Sequence, residues 1–139
     1  MSSETNQSLV QRFFAEVFNQ QRHDSAAEIL AVKLVAHHPA FPDGIRGPEG
    51  IMQMVAMFRA GFPDLHYTPE DLIAERDKVA VRWRASGTHR GTFLNIAPSG
   101  NRMSITGIDI FRVADGQIVE AWVNSDFLSL MKQIGAIPA

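Results

Sequence analysis

Apolar residues recur with helical spacing in the first half of the chain and with strand spacing in the second half. Near the N-terminus this periodicity predicts an amphipathic helix whose buried face carries Leu9, Val10, Phe13, Phe14, Val17 and Phe18. A short second helix is predicted to begin at Ser25, because Ser25 and Glu28 have the spacing of a capping box. A third helix is predicted to begin at Pro48 and to end at Gly61.

Alternating apolar and polar positions then predict four strands over residues 65–75, 78–90, 102–113 and 117–124. The Asp-Gly pair at 115–116 is a hairpin signal between the last two strands. A final short helix is expected from Asp126, a suitable N-cap, to Gly135. Between the second and third helices, 33–38 is a short extended piece, and 43–48 is a turn-rich loop.

Helices that precede strands in hairpin order indicate an α+β fold rather than repeated βαβ units. The chain has 139 residues, of which 45% are hydrophobic and 20% charged. This length and composition suit one domain, 1–139, with its own core. We therefore expect N-terminal helices packed on an antiparallel sheet of about four strands, closed by a short C-terminal helix.

Charge and motif content exclude several classes of function. A net charge of -2 without a basic run argues against nucleic acid as a partner. No apolar run approaches the roughly 20 residues of a membrane span, and the first residues lack the features of a secretory signal, so a cytoplasmic location is expected. The sequence contains no cysteine and no nucleotide-binding glycine motif. No histidine pair has metal-ligand spacing, and neither a metal nor a cofactor is expected.

Residues 87–135 and three upstream motifs carry a family resemblance. The motifs are Gly-Thr-His-Arg-Gly-Thr-Phe, Pro-Ser-Gly-Asn, the run from Gly107 to Trp122, and upstream His-His-Pro at 37–39, Gly-Pro-Glu-Gly at 47–50 and Phe-Pro-Asp-Leu at 62–65. The chain resembles the SnoaL-like polyketide cyclase, or ester cyclase, branch of the NTF2-like fold. The resemblance implies a cone-shaped fold with a pocket at its wide end, and a homodimer. It also implies aldol ring closure of a small hydrophobic or carbonyl substrate without metal or cofactor.

The chain departs from the pattern of that family at one position. Many members have Trp-Asp in the last strand, and in the cyclases an aspartate in this region is the acid/base. Here Val123 follows Trp122. The carboxylate is therefore missing unless Asp109 or Asp126 replaces it.

Asp109 and Asp126 are the candidate catalytic carboxylates. Asp109 lies inside an apolar strand, where desolvation should raise its pKa and suit it to acid/base work. The alternative is a structural aspartate that bonds a neighbouring strand. Asp126 shares strand parity with Trp122 and Asn124 and could enter the same pocket as Asp109; the alternative is that it only caps the last helix.

Histidines and aromatic residues complete the predicted site. Alternation should send one of His37 and His38 inward, where it could orient a carbonyl oxygen. His38 is therefore a third catalytic candidate. The substrate-binding candidates are His37, Trp83, His89, Phe111, Trp122 and Asn124. Such aromatic residues are also common as plain core.

The function that we expect is acid/base chemistry on a carbonyl substrate, by aldol closure or isomerisation. A carboxylate would remove a proton next to a carbonyl, and a histidine or Asn124 would stabilise the oxyanion. Two alternatives stay open at this point: non-catalytic binding of a hydrophobic metabolite, and epoxide or ester hydrolysis on the same scaffold.

Overall fold

The computed structural model describes residues 3–138. Its helical elements are α1 (Ser3–Arg12), which continues as a π-helical segment (Phe13–Asn19), α2 (His23–Ile29), α3 (Gly47–Gly61) and α4 (Phe127–Gln133). Its strands are β1 (Leu30–His38), β2 (Phe41–Arg46), β3 (His66–Glu75), β4 (Lys78–Thr88), β5 (Arg102–Ala114) and β6 (Gln117–Ser125). None of the helices in the described range is both long and apolar enough to cross a bilayer.

The strands form one curved mixed sheet in the order β2-β1-β6-β5-β4-β3. All neighbouring strands are antiparallel except β1 and β6, which run parallel. The α+β prediction is confirmed, but the sheet has six strands where four were predicted. The two additional strands come from the predicted extended piece at 33–38 and from the region predicted as a turn-rich loop.

Strand β2 was missed because its residues give turn signals. Pro42 and Gly44 lie within it, and both residues are typical of turns; Gly44 has a φ of 82°. Such residues are tolerated at a sheet edge, where one side of the strand has no ladder to complete. Tertiary pairing of Ala36 with Ile45 and of His38 with Phe41 holds the segment in the sheet.

The helices cover one face of the sheet, and the core lies between them. The predicted alternation of β4 is confirmed, with Val79, Val81, Trp83 and Ala85 buried. Phenylalanines join the two layers: Phe111 of β5 meets Phe13 and Phe14 of the π-helical segment with ring centroids 5.5 and 5.9 Å apart. Each such side chain contributes about 1.5–3 kcal/mol through burial. The other face of the sheet leaves Ile108 55% exposed.

The observed helix ends agree with two of the local sequence signals and disagree with one. The predicted capping box at Ser25 is wrong, because α2 begins two residues earlier, at His23. The Ser25 hydroxyl instead donates to Glu16 at 2.6 Å, which ties α2 to the π-helical segment. The predicted end of α3 at Gly61 is confirmed. The predicted helix cap at Asp126 is confirmed, because its carboxylate accepts the backbone N–H of Ser129 of α4 at 3.1 Å.

Candidate active site

A narrow cavity lies between the helices and the inner face of the sheet. Apolar side chains form most of its wall, and polar groups come from His38, Tyr67, Trp83, Asp109 and Ser125. The space that a water-sized molecule can enter is about 30 Å³. This is room for one or two waters. The cavity therefore admits only a small part of any larger ligand.

Asp109 is the buried carboxylate of this cavity. It sits in the middle of β5, paired with Val81 on one side and Val123 on the other, and is 2% exposed. Its Oδ1 has no hydrogen-bond partner among residues 3–138. Burial raises the pKa of Asp109 to about 7, because the charged form loses its hydration, while the Trp83 indole and the backbone of Asn124 act in the opposite direction.

Trp83 supplies a second unpartnered polar atom to the same cavity. Its indole lies across β5 at Gly107, where a Cβ atom would come within 2.6 Å of Cε2 and also overlap Cζ2. Gly107 is therefore required for this ring position. The buried Nε1–H has no regular hydrogen bond within the described part of the chain. The indole is close enough to Asp109 to lower its pKa, but within the described residues neither group completes a regular hydrogen bond; the incompletely paired donor and acceptor indicate a place for a ligand atom or a water.

His38, at the end of β1, is the second titratable group of the cavity and is 8% exposed. Its Nδ1 accepts the backbone N–H of Ala40 at 3.0 Å. Burial lowers the pKa of His38 to about 4. The ring is therefore neutral at physiological pH, and because Nδ1 is an acceptor, the proton resides on Nε2. His38 thus offers the cavity an N–H donor rather than a base.

Tyr67 is a cavity residue that sequence reasoning missed. Its ring stacks on Phe18 at 4.6 Å and lies 5.2 Å from Trp83. Burial raises the pKa of its hydroxyl, and the nearby charge of Asp109 adds to this. Its position follows from strand register, since Tyr67 pairs with the inward-facing Ala85, and no local sequence pattern indicates that pairing. The phenol is neutral and able to donate a hydrogen bond.

The comparisons with known proteins agree with this architecture. A sequence profile described as SnoaL-like polyketide cyclase matches residues 8–134. The chain belongs to the SnoaL-like polyketide cyclase family. It is 26% identical over 131 residues to the aklanonic acid methyl ester cyclase DnrD of Streptomyces peucetius, a match that covers 89% of this chain and 87% of DnrD.

Solved structures match nearly the whole of this SnoaL-like chain. A SnoaL-like protein from Jannaschia sp. CCS1 superposes with a TM-score of 0.88 at 29% identity, covering 98% of this chain and 95% of its own. TsrD from Streptomyces laurentii superposes with a TM-score of 0.86 at 30% identity, covering 99% of each chain. The resemblance and the NTF2-like α+β fold are thereby confirmed.

The last strand of this SnoaL-like sheet turns its side chains the opposite way from the prediction. Val123 and Ser125 line the cavity, whereas Trp122 and Asn124 pair with the outward-facing Ile110 and Ile108. The cause is a β-bulge: the register between β5 and β6 shifts by one residue after Ile118. A one-residue shift exchanges the two faces of a strand.

Asp126 and His37 also lie outside the cavity. Asp126 is exposed at the end of β6, so its predicted place in the pocket beside Asp109 is wrong. His37 faces outward, stacks on Trp122 at 5.8 Å and meets the Glu120 carboxylate at 2.9 Å. The prediction that one of the two adjacent histidines points inward is confirmed, and the inward one is His38.

His89 and Phe111 are buried away from the cavity lining. His89 is 0% exposed, and its Nδ1 accepts the backbone N–H of Ser99 at 3.1 Å, which fixes the β4–β5 connection. Phe111 packs into the phenylalanine cluster described above. The structure thus brings together Asp109, His38 and Trp83 of the predicted site residues. Within residues 3–138, no three His, Asp or Glu side chains are grouped so as to hold a metal ion.

Proposed function

We propose that this protein catalyses carbon–carbon ring closure of a small carbonyl substrate by an intramolecular aldol step, with Asp109 as the acid/base. Membership of the SnoaL-like polyketide cyclase family and the likeness to DnrD, a cyclase, support this class of reaction. The observation that carries the proposal is the Asp109 carboxylate, which is buried, has an unpartnered oxygen and faces a cavity.

In the first step Asp109 removes a proton from a carbon next to a carbonyl group, and the carbonyl becomes an enolate. The enolate carbon then attacks a second carbonyl of the same molecule, which forms the new carbon–carbon bond and an alkoxide. The alkoxide takes back the proton that Asp109 holds. Substrate and product are isomers, so the step consumes no further reactant and returns Asp109 to its ionised form.

The environment of Asp109 suits it to this role. A carboxylate with an ordinary pKa is a weak base, whereas burial raises the pKa of Asp109 to about 7. It is therefore partly ionised near neutral pH and still has a useful affinity for a proton. The apolar wall that raises this pKa also keeps water away from the enolate.

The two N–H donors of the cavity supply the complementary function. Enolate formation places negative charge on the substrate oxygen, which preorganised donors stabilise most effectively in a site that excludes water. His38 donates from Nε2 because its Nδ1 is already an acceptor. The Nε1–H of Trp83 acts on the Asp109 carboxylate but makes no regular hydrogen bond within residues 3–138, so a substrate oxygen bound between the two groups can accept it. Neither donor ionises near neutral pH, so the stabilisation persists over the working range.

Proton removal can be tested without the natural substrate. In D2O the acetyl protons of 2-acetylnaphthalene exchange for deuterium, and proton NMR follows the rate. We expect the wild-type protein to accelerate this exchange, and Asp109→Asn to reduce the acceleration by about 100-fold or more, as for loss of a general base. Asp126→Asn is the matched control and should exchange like wild type. No acceleration by wild type, or equal acceleration by Asp109→Asn, would overturn the proposal.

A further inference from the structure

The cavity at Asp109 is too small for a whole ring-closing substrate. Its free space of about 30 Å³ holds one or two waters, whereas such a substrate carries two carbonyl groups and the carbon chain between them. Only the reacting end of the substrate fits beside Asp109. The rest of the molecule must occupy a neighbouring space.

A larger groove runs along the surface between β2 and α3. Its volume is about 560 Å³, and Phe41, Ile45, Met54 and Met57 give it an apolar wall. Arg46 and Glu49 both stand in this groove, and no ion pair joins them. The Arg46 side chain forms no ion pair with any other residue of the described range, so its guanidinium is free to pair with an acceptor oxygen.

The partition between groove and cavity is thin. Met54 borders both spaces and is itself 7% exposed. Phe41, which lines the groove, packs edge-on against His38, which lines the cavity, with centroids 5.1 Å apart. Methionine has three rotatable side-chain bonds and adapts its shape readily. A rotamer change at Met54 is therefore the simplest movement that would connect the two spaces.

We propose that the groove between β2 and α3 binds the non-reacting part of the substrate, a flat apolar group carrying an acceptor oxygen, while the reacting carbonyl end passes Met54 into the cavity. This assignment rests on the proposed function, which defines the end of the substrate that reacts and enters the cavity. The apolar wall buries the flat group, and Arg46 recognises a carboxylate or carbonyl oxygen at its far end.

A second hollow near the cavity is the less suitable route. It has a volume of about 240 Å³ and shares His38 and Val123 with the cavity. The stacked His37 and Trp122 rings line it, and the imidazole of His37 is already paired with Glu120. The hollow is smaller, and its lining lacks an unpaired cation. Binding there is an outcome that the experiment distinguishes.

The experiment uses methionine methyl groups as position-specific reporters. Protein labelled with 13C in the methionine methyl groups is titrated with 2-acetylnaphthalene and, separately, with 2-naphthoate, and methyl NMR spectra are recorded. We expect saturable shifts at Met54 and Met57, and no saturable shift at Met103, which lies on β5 away from the groove. Asp109 does not line the groove, so Asp109→Asn should still show saturable shifts at Met57 with both probes, and this readout is independent of proton exchange.

Two pairs of comparisons test the contacts. Met57→Trp fills the groove and should weaken both probes at least tenfold. The neighbouring Ala56→Trp fills an adjoining hollow, which shares Glu49 and Gln53 with the groove but none of its apolar wall, and should leave binding unchanged. Arg46→Gln should weaken 2-naphthoate about tenfold and leave 2-acetylnaphthalene nearly unaffected, because only the former carries a carboxylate.

Several results would overturn the groove assignment. These are binding without a saturable shift at Met54 or Met57, as expected for the hollow at Trp122, whose described lining residues include no methionine; shifts at Met52 alone; shifts that do not saturate; or full affinity in Met57→Trp. If the groove binds as described while Asp109→Asn exchanges protons like wild type, then the base assignment fails and the groove assignment stands. If Asp109→Asn loses exchange but the groove methyl groups do not shift, the converse holds.

Discussion

Replacing Asp109 by Asn should remove a large pH dependence of stability. The pKa of this carboxyl is about 7 in the folded protein, against an ordinary value of 3.8. The folded state therefore keeps a proton that the unfolded chain has lost, and the resulting stabilisation is present at low pH and disappears as the pH rises through about 7. Between pH 5 and pH 8 the loss is about 3 kcal/mol, from two pKa units at about 1.4 kcal/mol each.

His38 acts in the opposite direction, which determines how the measurement must be made. Its pKa falls from 6.5 to about 4 on folding, so the folded state holds the ring neutral. That contribution is complete above pH 6.5 and is lost as the pH falls toward 4. Over the range from pH 5 to 6.5 it amounts to about 2 kcal/mol. The wild-type profile alone therefore shows only the difference between the two effects.

The decisive quantity is a comparison between variants. Urea unfolding followed by Trp fluorescence at pH 5 and pH 8 gives the change in unfolding free energy for wild type and for Asp109→Asn. We expect the two changes to differ by about 3 kcal/mol, because the His38 contribution is common to both proteins. Asp43→Asn, at an exposed site on β2, should behave as wild type. A difference below about 0.5 kcal/mol would refute the claim that burial makes Asp109 a stronger base.

Three substitutions test the packing around the site by thermal unfolding. Gly107→Ala should cost about 1–3 kcal/mol, because its Cβ overlaps the indole of Trp83; adding Trp83→Phe should recover part of the loss, and no recovery would contradict the overlap. Asp126→Ala should cost about 1 kcal/mol through loss of the α4 cap, with Asp126→Asn close to wild type and proton exchange unchanged in both. Gly91→Ala should be the most damaging, above about 3 kcal/mol, because its Cβ would overlap the backbone carbonyl of Ala60; a smaller loss than in Gly107→Ala would show that this backbone gives way.

Features set by a few neighbouring residues could be read from the sequence. The hairpin turn at 115–116, the cap at Asp126 and the helix end at Gly61 all depend on local backbone preferences, and all appear in the structure. Asp109 was found for the same reason. A carboxylate between two isoleucines on a regular strand is a local signal, and its burial follows once that strand belongs to a sheet.

Features set by long-range pairing could not be read in this way. The bulge after Ile118 depends on how β6 meets β5, and it moved Trp122, Asn124 and Asp126 away from the cavity. Strand β2 exists because β1 holds it. Tyr67 enters the site through the register of β3 on β4. In each case the deciding interaction pairs two strands, and the residues near each position in the sequence do not determine how those strands pair.

The parallel pairing of β1 with β6 has a consequence for how the protein is made. Ala36 of β1, the first strand in the sequence, lies beside Ala121 of β6, the last strand. During synthesis β6 emerges after every other strand, and long-range pairings of this kind form late in folding. Until β6 inserts between β1 and β5, the sheet does not connect the strand of His38 with the strand of Asp109. The chain must therefore be synthesised through β6 before the complete sheet can hold the two groups in one cavity.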